Sequence, residues 1–160
     1  MSAARLVIYG ATGYTGDLIA REAVRRGLQP ALAGRNEAAI AALAQELGCE
    51  YRIASLDDAG ALDRALQGAA VTLHCAGPFS ATSAPMVAAC LRQRSHYLDI
   101  TGEIDVLEAV HQSGPAAGQA GVVLCPATGF DVLVTVFWKP PSVVLGPQHR
   151  YTMAATVRMN

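Results

Sequence analysis

Lysine is nearly missing from this chain: Lys139 is the only one, set late in the sequence. No Gly-Lys-Ser/Thr therefore follows the glycine-rich turn near the start, which excludes a nucleoside triphosphate P-loop there. An excess of charge of either sign is missing too, with 12 basic against 13 acidic residues. A chain so balanced carries no electrostatic footprint for nucleic acid or an anionic membrane surface. No apolar run approaches the roughly 20 residues that a membrane span needs. Cysteine is sparse, at Cys49, Cys75, Cys90 and Cys125, and the spacing matches no metal or redox motif. With no CxxC pair and no signal peptide before the first strand, these read as reduced thiols packed as small hydrophobes in a cytoplasmic protein.

What the chain does have is apolar substance, 52% hydrophobic against 16% charged residues over a length of 160. That is enough for one domain with a core of its own. Runs of strand length alternate with helical patterns. The strands are expected at Arg5–Tyr9, Pro30–Ala33, Tyr51–Ala54, Ala70–Ala76, Tyr97–Ile100 and Val122–Cys125. Helices are expected over Tyr14–Arg26, from an Asn36 cap to Leu47, and from Asp57 or Asp58 to Leu66. Further helices should start near Ser83–Pro85, with the proline in the first turn, and at Glu103, the latter broken at Ser113–Pro115. Six strands alternating with helices predict an α/β fold, a doubly wound parallel sheet covered on both faces.

The first strand runs straight into three glycines spaced three apart, in "LVIYGATGYTG", Leu6–Gly16. At the carboxyl edge of such a sheet, a helix N-terminus presents backbone N–H groups and the positive end of its dipole to an anion. Gly10 would permit the tight turn, Gly13 the close approach of a pyrophosphate, and Gly16 the packing of helix on strand. Thr12 and Thr15 can add hydroxyl hydrogen bonds, with Tyr14 lying beside the site. The second strand ends not in the carboxylate that holds an NAD ribose but in Gly34-Arg35-Asn36. A guanidinium there suits a 2′-phosphate, and Asn36 can donate a further bond, so the pattern favours NADP(H). A solvated arginine beside a helix cap is the alternative. After the fourth strand, "CAGPF" brings Ala76, Gly77 and Pro78 close to where the ribose and nicotinamide would lie. Asp99 and Glu103, in "HYLDITGE", are expected near the same edge, as structural acceptors, with a catalytic role as the alternative.

Taken in order, "GATGYTG", "AGR", "CAGPF", "HYLDITGE" and "GFDV" resemble the NADP-binding domain of saccharopine dehydrogenase-like oxidoreductases, among them the trans-acting enoyl reductases. The resemblance covers about Arg5 to Thr135. It implies a Rossmann-type domain joined to a substrate domain, hydride transfer with NADP(H), and often dimeric subunits. It carries the cofactor contacts to Gly10, Thr12, Gly13, Tyr14, Thr15, Gly16, Arg35, Asn36, Ala76, Gly77 and Pro78. It designates no catalytic residue.

Composition shifts after Thr135: residues 136–160 hold three of the eight prolines, the lone Trp and Lys, and no acid. We therefore divide the chain into an NADP-binding domain, 1–135, and a divergent tail, 136–160. That tail reads as a linker with an edge strand near Arg150–Met159, the start of a missing substrate domain, or a truncated or frame-shifted product. A short-chain or atypical extended dehydrogenase is a further reading, disfavoured because no tyrosine has a lysine four residues on. A non-catalytic NADP(H)-binding module is the competing reading, and the substrate is not legible.

Overall fold

The computed structural model describes residues 5–129. The tail expected after Thr135, with its edge strand, Lys139 and His149, lies outside the described residues, as does most of "GFDV". In chain order the elements are β1 (Arg5–Tyr9), α1 (Tyr14–Arg25), β2 (Ala31–Gly34), α2 (Glu37–Leu47), β3 (Glu50–Ile53) and α3 (Ala59–Leu66). They continue with β4 (Ala69–His74), α4 (Phe79–Gln93), β5 (His96–Asp99), α5 (Ile104–Gln112), α6 (Gly114–Ala120) and β6 (Leu124–Cys125). All neighbouring strands pair in parallel, in the order β3-β2-β1-β4-β5-β6. The expected doubly wound sheet is the observed one.

Strand alternation divides the core in two. Ile8 and Leu32 face the helices α1 and α2, through Ala20, Ala23, Ile40 and Leu43. Val7, Tyr9, Ala31 and Ala33 face the other way, against α3, α4 and α5 through Leu62, Leu66, Met86, Val87, Val106 and Val110. β1 and β2 contribute to both layers because successive side chains point to opposite faces.

Local signals account for most helix ends. Asn36 accepts from Ala39 N at 3.2 Å, and Asp58, not Asp57, accepts from Ala61 N at 2.9 Å. Gly48 closes α2 in the left-handed region at φ 65°. The chain breaks between α5 and α6 at Ser113, and Pro115 sits in the first turn of α6, as expected.

One helix corrects the sequence reading. α4 begins at Phe79, four residues before Ser83, so Pro85 lies in its second turn rather than its first. The cause is long-range. The Glu103 carboxylate accepts from Phe79 N at 2.7 Å and Ser80 N at 2.9 Å, answering the N–H groups of an earlier start. The strand ends differ as well: β2 starts one residue after Pro30, β4 stops at His74 rather than Ala76, and β6 is two residues long.

Candidate functional site

The strand order reverses between β1 and β4, and in sheets of this kind the ligand crevice opens there, at the carboxyl ends. The segments leaving those two strands touch. A Cβ on Gly10, where φ is +81°, would lie 2.8 Å from Ala76 N and 2.9 Å from Ala76 Cβ. Gly10 thus serves more than the tight turn expected of it, because it also admits the β4 exit against the β1 exit. Gly10 N and Ala11 N both donate to Ala33 O, at 2.8 and 3.3 Å, tying the same turn to β2. Gly16 acts as expected: a Cβ there would overlap Gly10 O, so the missing side chain lets α1 pack onto the turn.

Gly13 differs from both. It is exposed, and a Cβ on it would meet Gly10 O at 3.3 Å with nothing else near. It is also the N-cap of α1 and supplies no side chain to the N–H groups of the first turn. Thr12, Tyr14 and Thr15 are exposed around it, Tyr14 at 85%. An open helix N-terminus with hydroxyls beside it can hold a pyrophosphate.

Arg35 and Asn36 are exposed at the end of β2. Asn36 already spends its carbonyl oxygen on the α2 cap, which leaves its NH₂ to donate. Burial pushes the Tyr9 hydroxyl pKa up, and the Arg35 charge pulls it partly back. Gly77 and Pro78 are exposed and Ala76 half-buried; the Gly77–Pro78 peptide is cis. The sequence-designated residues therefore gather along one edge, in the order Arg35 and Asn36, the glycine turn, then Ala76–Pro78.

Asp99 and Glu103 are acceptors inside the scaffold. Asp99 is fully buried and takes Tyr97 OH at 2.6 Å on Oδ2, with Thr101 N at 3.0 Å and Ala127 N at 2.8 Å on Oδ1. Its backbone carbonyl accepts from both Thr128 N and Thr128 Oγ1 at 2.7 Å. The Glu103 carboxyl is held below its usual range by hydrogen bonding to Ser80, with the two α4 N–H groups adding to it. All four cysteines are free. Burial pushes the thiols of Cys75 and Cys90 up to about 12, which keeps them from acting as thiolates at neutral pH.

The sequence reading missed His74 and Thr82. His74 ends β4 fully buried among the rings of Tyr9, Phe79 and Tyr97, and its Nε2 lies 3.0 Å from Thr82 Oγ1. A histidine ending an apolar strand carries no signal of this. Burial lowers its pKa to about 4, against roughly 6.5 in an unfolded chain. Between those values the unfolded state binds more protons, so stability rises with pH across that window and is lost as pH falls toward 4. The loss on going from pH 7 to 4.5 should be about 2–3 kcal/mol from this group, from the size of the shift. Urea unfolding of the unaltered chain and of His74→Gln at both pH values checks it. An identical pH dependence in the two proteins would show that the folded imidazole titrates freely.

A parallel sheet in this order, with an open helix N-terminus at its switch point, defines a Rossmann-type dinucleotide-binding domain. The family model of the saccharopine dehydrogenase NADP binding domain matches residues 6–125, and the chain belongs to that family. It is 28% identical over 149 residues to a saccharopine dehydrogenase-like oxidoreductase of Rattus norvegicus, covering 79% of this chain and 34% of the relative. It is 30% identical over 137 residues to a trans-acting enoyl reductase of Mycobacterium ulcerans, covering 79% of this chain and 32% of that protein. Among solved structures, apo saccharopine dehydrogenase (L-Glu forming) of Saccharomyces cerevisiae superposes with a TM-score of 0.71 at 18% identity, over 83% of this chain and 29% of that one. The chain spans about a third of the length of these curated relatives. Among the described residues no helix is long and apolar enough to cross a membrane, and no group of three or more His, Cys, Asp or Glu residues could hold a metal ion.

Proposed function

We propose that this NADP-binding domain serves hydride transfer between NADP(H) and a small imine, carbonyl or enoyl compound, as the cofactor half of an oxidoreductase. Gly10, Gly13 and Gly16 shape the pyrophosphate seat, and Thr12, Tyr14 and Thr15 line it. Arg35 and Asn36 take the 2′-phosphate, and Ala76, Gly77 and Pro78 flank the nicotinamide ribose. The observation that carries this is the pairing of an open α1 N-terminus with an exposed guanidinium one strand away. NADP(H) supplies the hydride; the chain's own part is to bind, to orient and to form one wall of the cleft. Holding a substrate at van der Waals distance and excluding water requires an opposite wall. Residues 136–160, a following segment or a second copy in a homodimer would have to provide it. Cytoplasmic location belongs to the same proposal and rests on the four free cysteines.

The test is cofactor choice. A charge-assisted contact contributes about 1.5–3 kcal/mol, so Arg35→Asp should weaken NADPH about ten- to a hundredfold and leave NADH little changed. Fluorescence titration of both proteins with both cofactors reads this directly. Equal affinity of the unaltered chain for NADH and NADPH would overturn the assignment of Arg35.

A further inference from the structure

We propose that Thr82, oriented by His74, is a positioning residue for the nicotinamide end of the cofactor. The proposal rests on the placement of the cofactor given above.

The Thr82 hydroxyl meets three groups: Ala76 O at 2.6 Å, Pro78 O at 2.9 Å and His74 Nε2 at 3.0 Å. A hydroxyl has one proton to donate, and carbonyls only accept. Its proton therefore serves the two carbonyls, and His74 must donate Nε2–H to the hydroxyl oxygen. That fixes the imidazole as the neutral Nε2–H tautomer, with Nδ1 the acceptor. Nδ1 is buried and has no partner. A buried acceptor left unanswered destabilises the fold, and an apolar side chain would avoid that cost. What the imidazole contributes in return is the one donor that orients Thr82.

The bond from Thr82 to Pro78 O is the ordinary back-bond of a helical threonine to the carbonyl four residues earlier. The shorter bond to Ala76 O is not, because Ala76 lies outside α4. Thr82 thus ties the turn between β4 and α4 at both ends, and this is the turn that flanks the nicotinamide ribose. The ring of His74 is fixed in turn by Phe79, at 5.3 Å between centroids in an edge-on arrangement, and by Tyr9 and Tyr97. The adenosine end of the cofactor is assigned to Arg35 at the exit of β2, two strands away from the β4 exit that Thr82 ties.

The experiment compares two ligands on the purified 160-residue chain: NADPH, which reaches the turn, and 2′,5′-ADP, which does not. Thr82→Val removes the hydroxyl. Thr82→Ala removes it with a strong helix former, which guards against loss of the fold. Thr82→Ser keeps it. Both hydroxyl-free variants should bind NADPH about five- to tenfold more weakly, with altered emission of the bound nicotinamide. Their affinity for 2′,5′-ADP should stay unchanged, and Thr82→Ser should behave as the unaltered chain in both titrations. Equal weakening of both ligands, or of neither, would overturn the proposal. Failure of the unaltered chain to bind either ligand would overturn the cofactor placement itself, and this proposal with it.

Discussion

Gly13→Val is expected to abolish NADP(H) binding while leaving the domain folded. The backbone of Gly13 lies at φ −73°, ψ 161°, an extended conformation that any residue adopts, so no left-handed strain arises. Its Cβ would meet Gly10 O at 3.3 Å, a contact relieved by a small shift of that carbonyl, and would otherwise project into open space. That space is where a pyrophosphate must approach the first-turn N–H groups of α1. A branched side chain there removes the approach for NADPH and NADH alike, and affinity should fall on the order of a hundredfold or more. Far-UV circular dichroism and thermal melting would show the retained fold, and titration the lost binding. Normal NADPH affinity in the variant would mean that the pyrophosphate sits elsewhere. Gly16 is not a usable substitute, because its Cβ would overlap Gly10 O and be 2.9 Å from Ala11 Cα, disrupting the turn itself.

The second large effect concerns stability. Asp99→Ala would strip three donors of their acceptor at once: Tyr97 OH, Thr101 N and Ala127 N, all buried with it at the ends of β5 and β6. A buried donor left without a partner costs about 1–3 kcal/mol, so a loss of at least about 3 kcal/mol is expected. For a domain of this size that corresponds to a fall in Tm of about 10 °C. Asp99→Asn should cost clearly less, because its carbonyl oxygen can still accept both backbone N–H groups while its NH₂ faces the Tyr97 oxygen. Calorimetry on the two variants separates the outcomes. If alanine and asparagine destabilised equally and slightly, water would be replacing the carboxyl group and the clamp would carry little of the fold.

These predictions draw on different depths of the chain. Elements whose causes lie within a few residues were legible beforehand. The periodicity of Ile40, Leu43 and Ala44 marks α2, Asn36 caps it three residues from the N–H it serves, and Gly48 ends it by entering the left-handed region. The glycine turn was legible for the same reason, since strand, turn and helix follow one another without a break. The start of α4 was not legible, because the carboxylate that licenses it comes from Glu103, 24 residues away. Nor was the orientation of Thr82, whose bond to Ala76 O depends on where β4 delivers the chain.

Alternation of strands and helices, the glycine spacing and the order of five motifs were enough to establish the doubly wound sheet and its NADP-binding family from the sequence alone. Hydrophobic period and turn chemistry are local properties, and right-handed crossovers leave a sheet of this kind few arrangements. The tertiary structure decided which strand exits meet. Only when β1 and β4 lie side by side does Gly10 become the gap that admits Ala76, and only when β5 and β6 do does Asp99 reach Ala127, 28 residues on. Contacts of that length depend on the packed sheet for their geometry, and no spacing in the sequence encodes them.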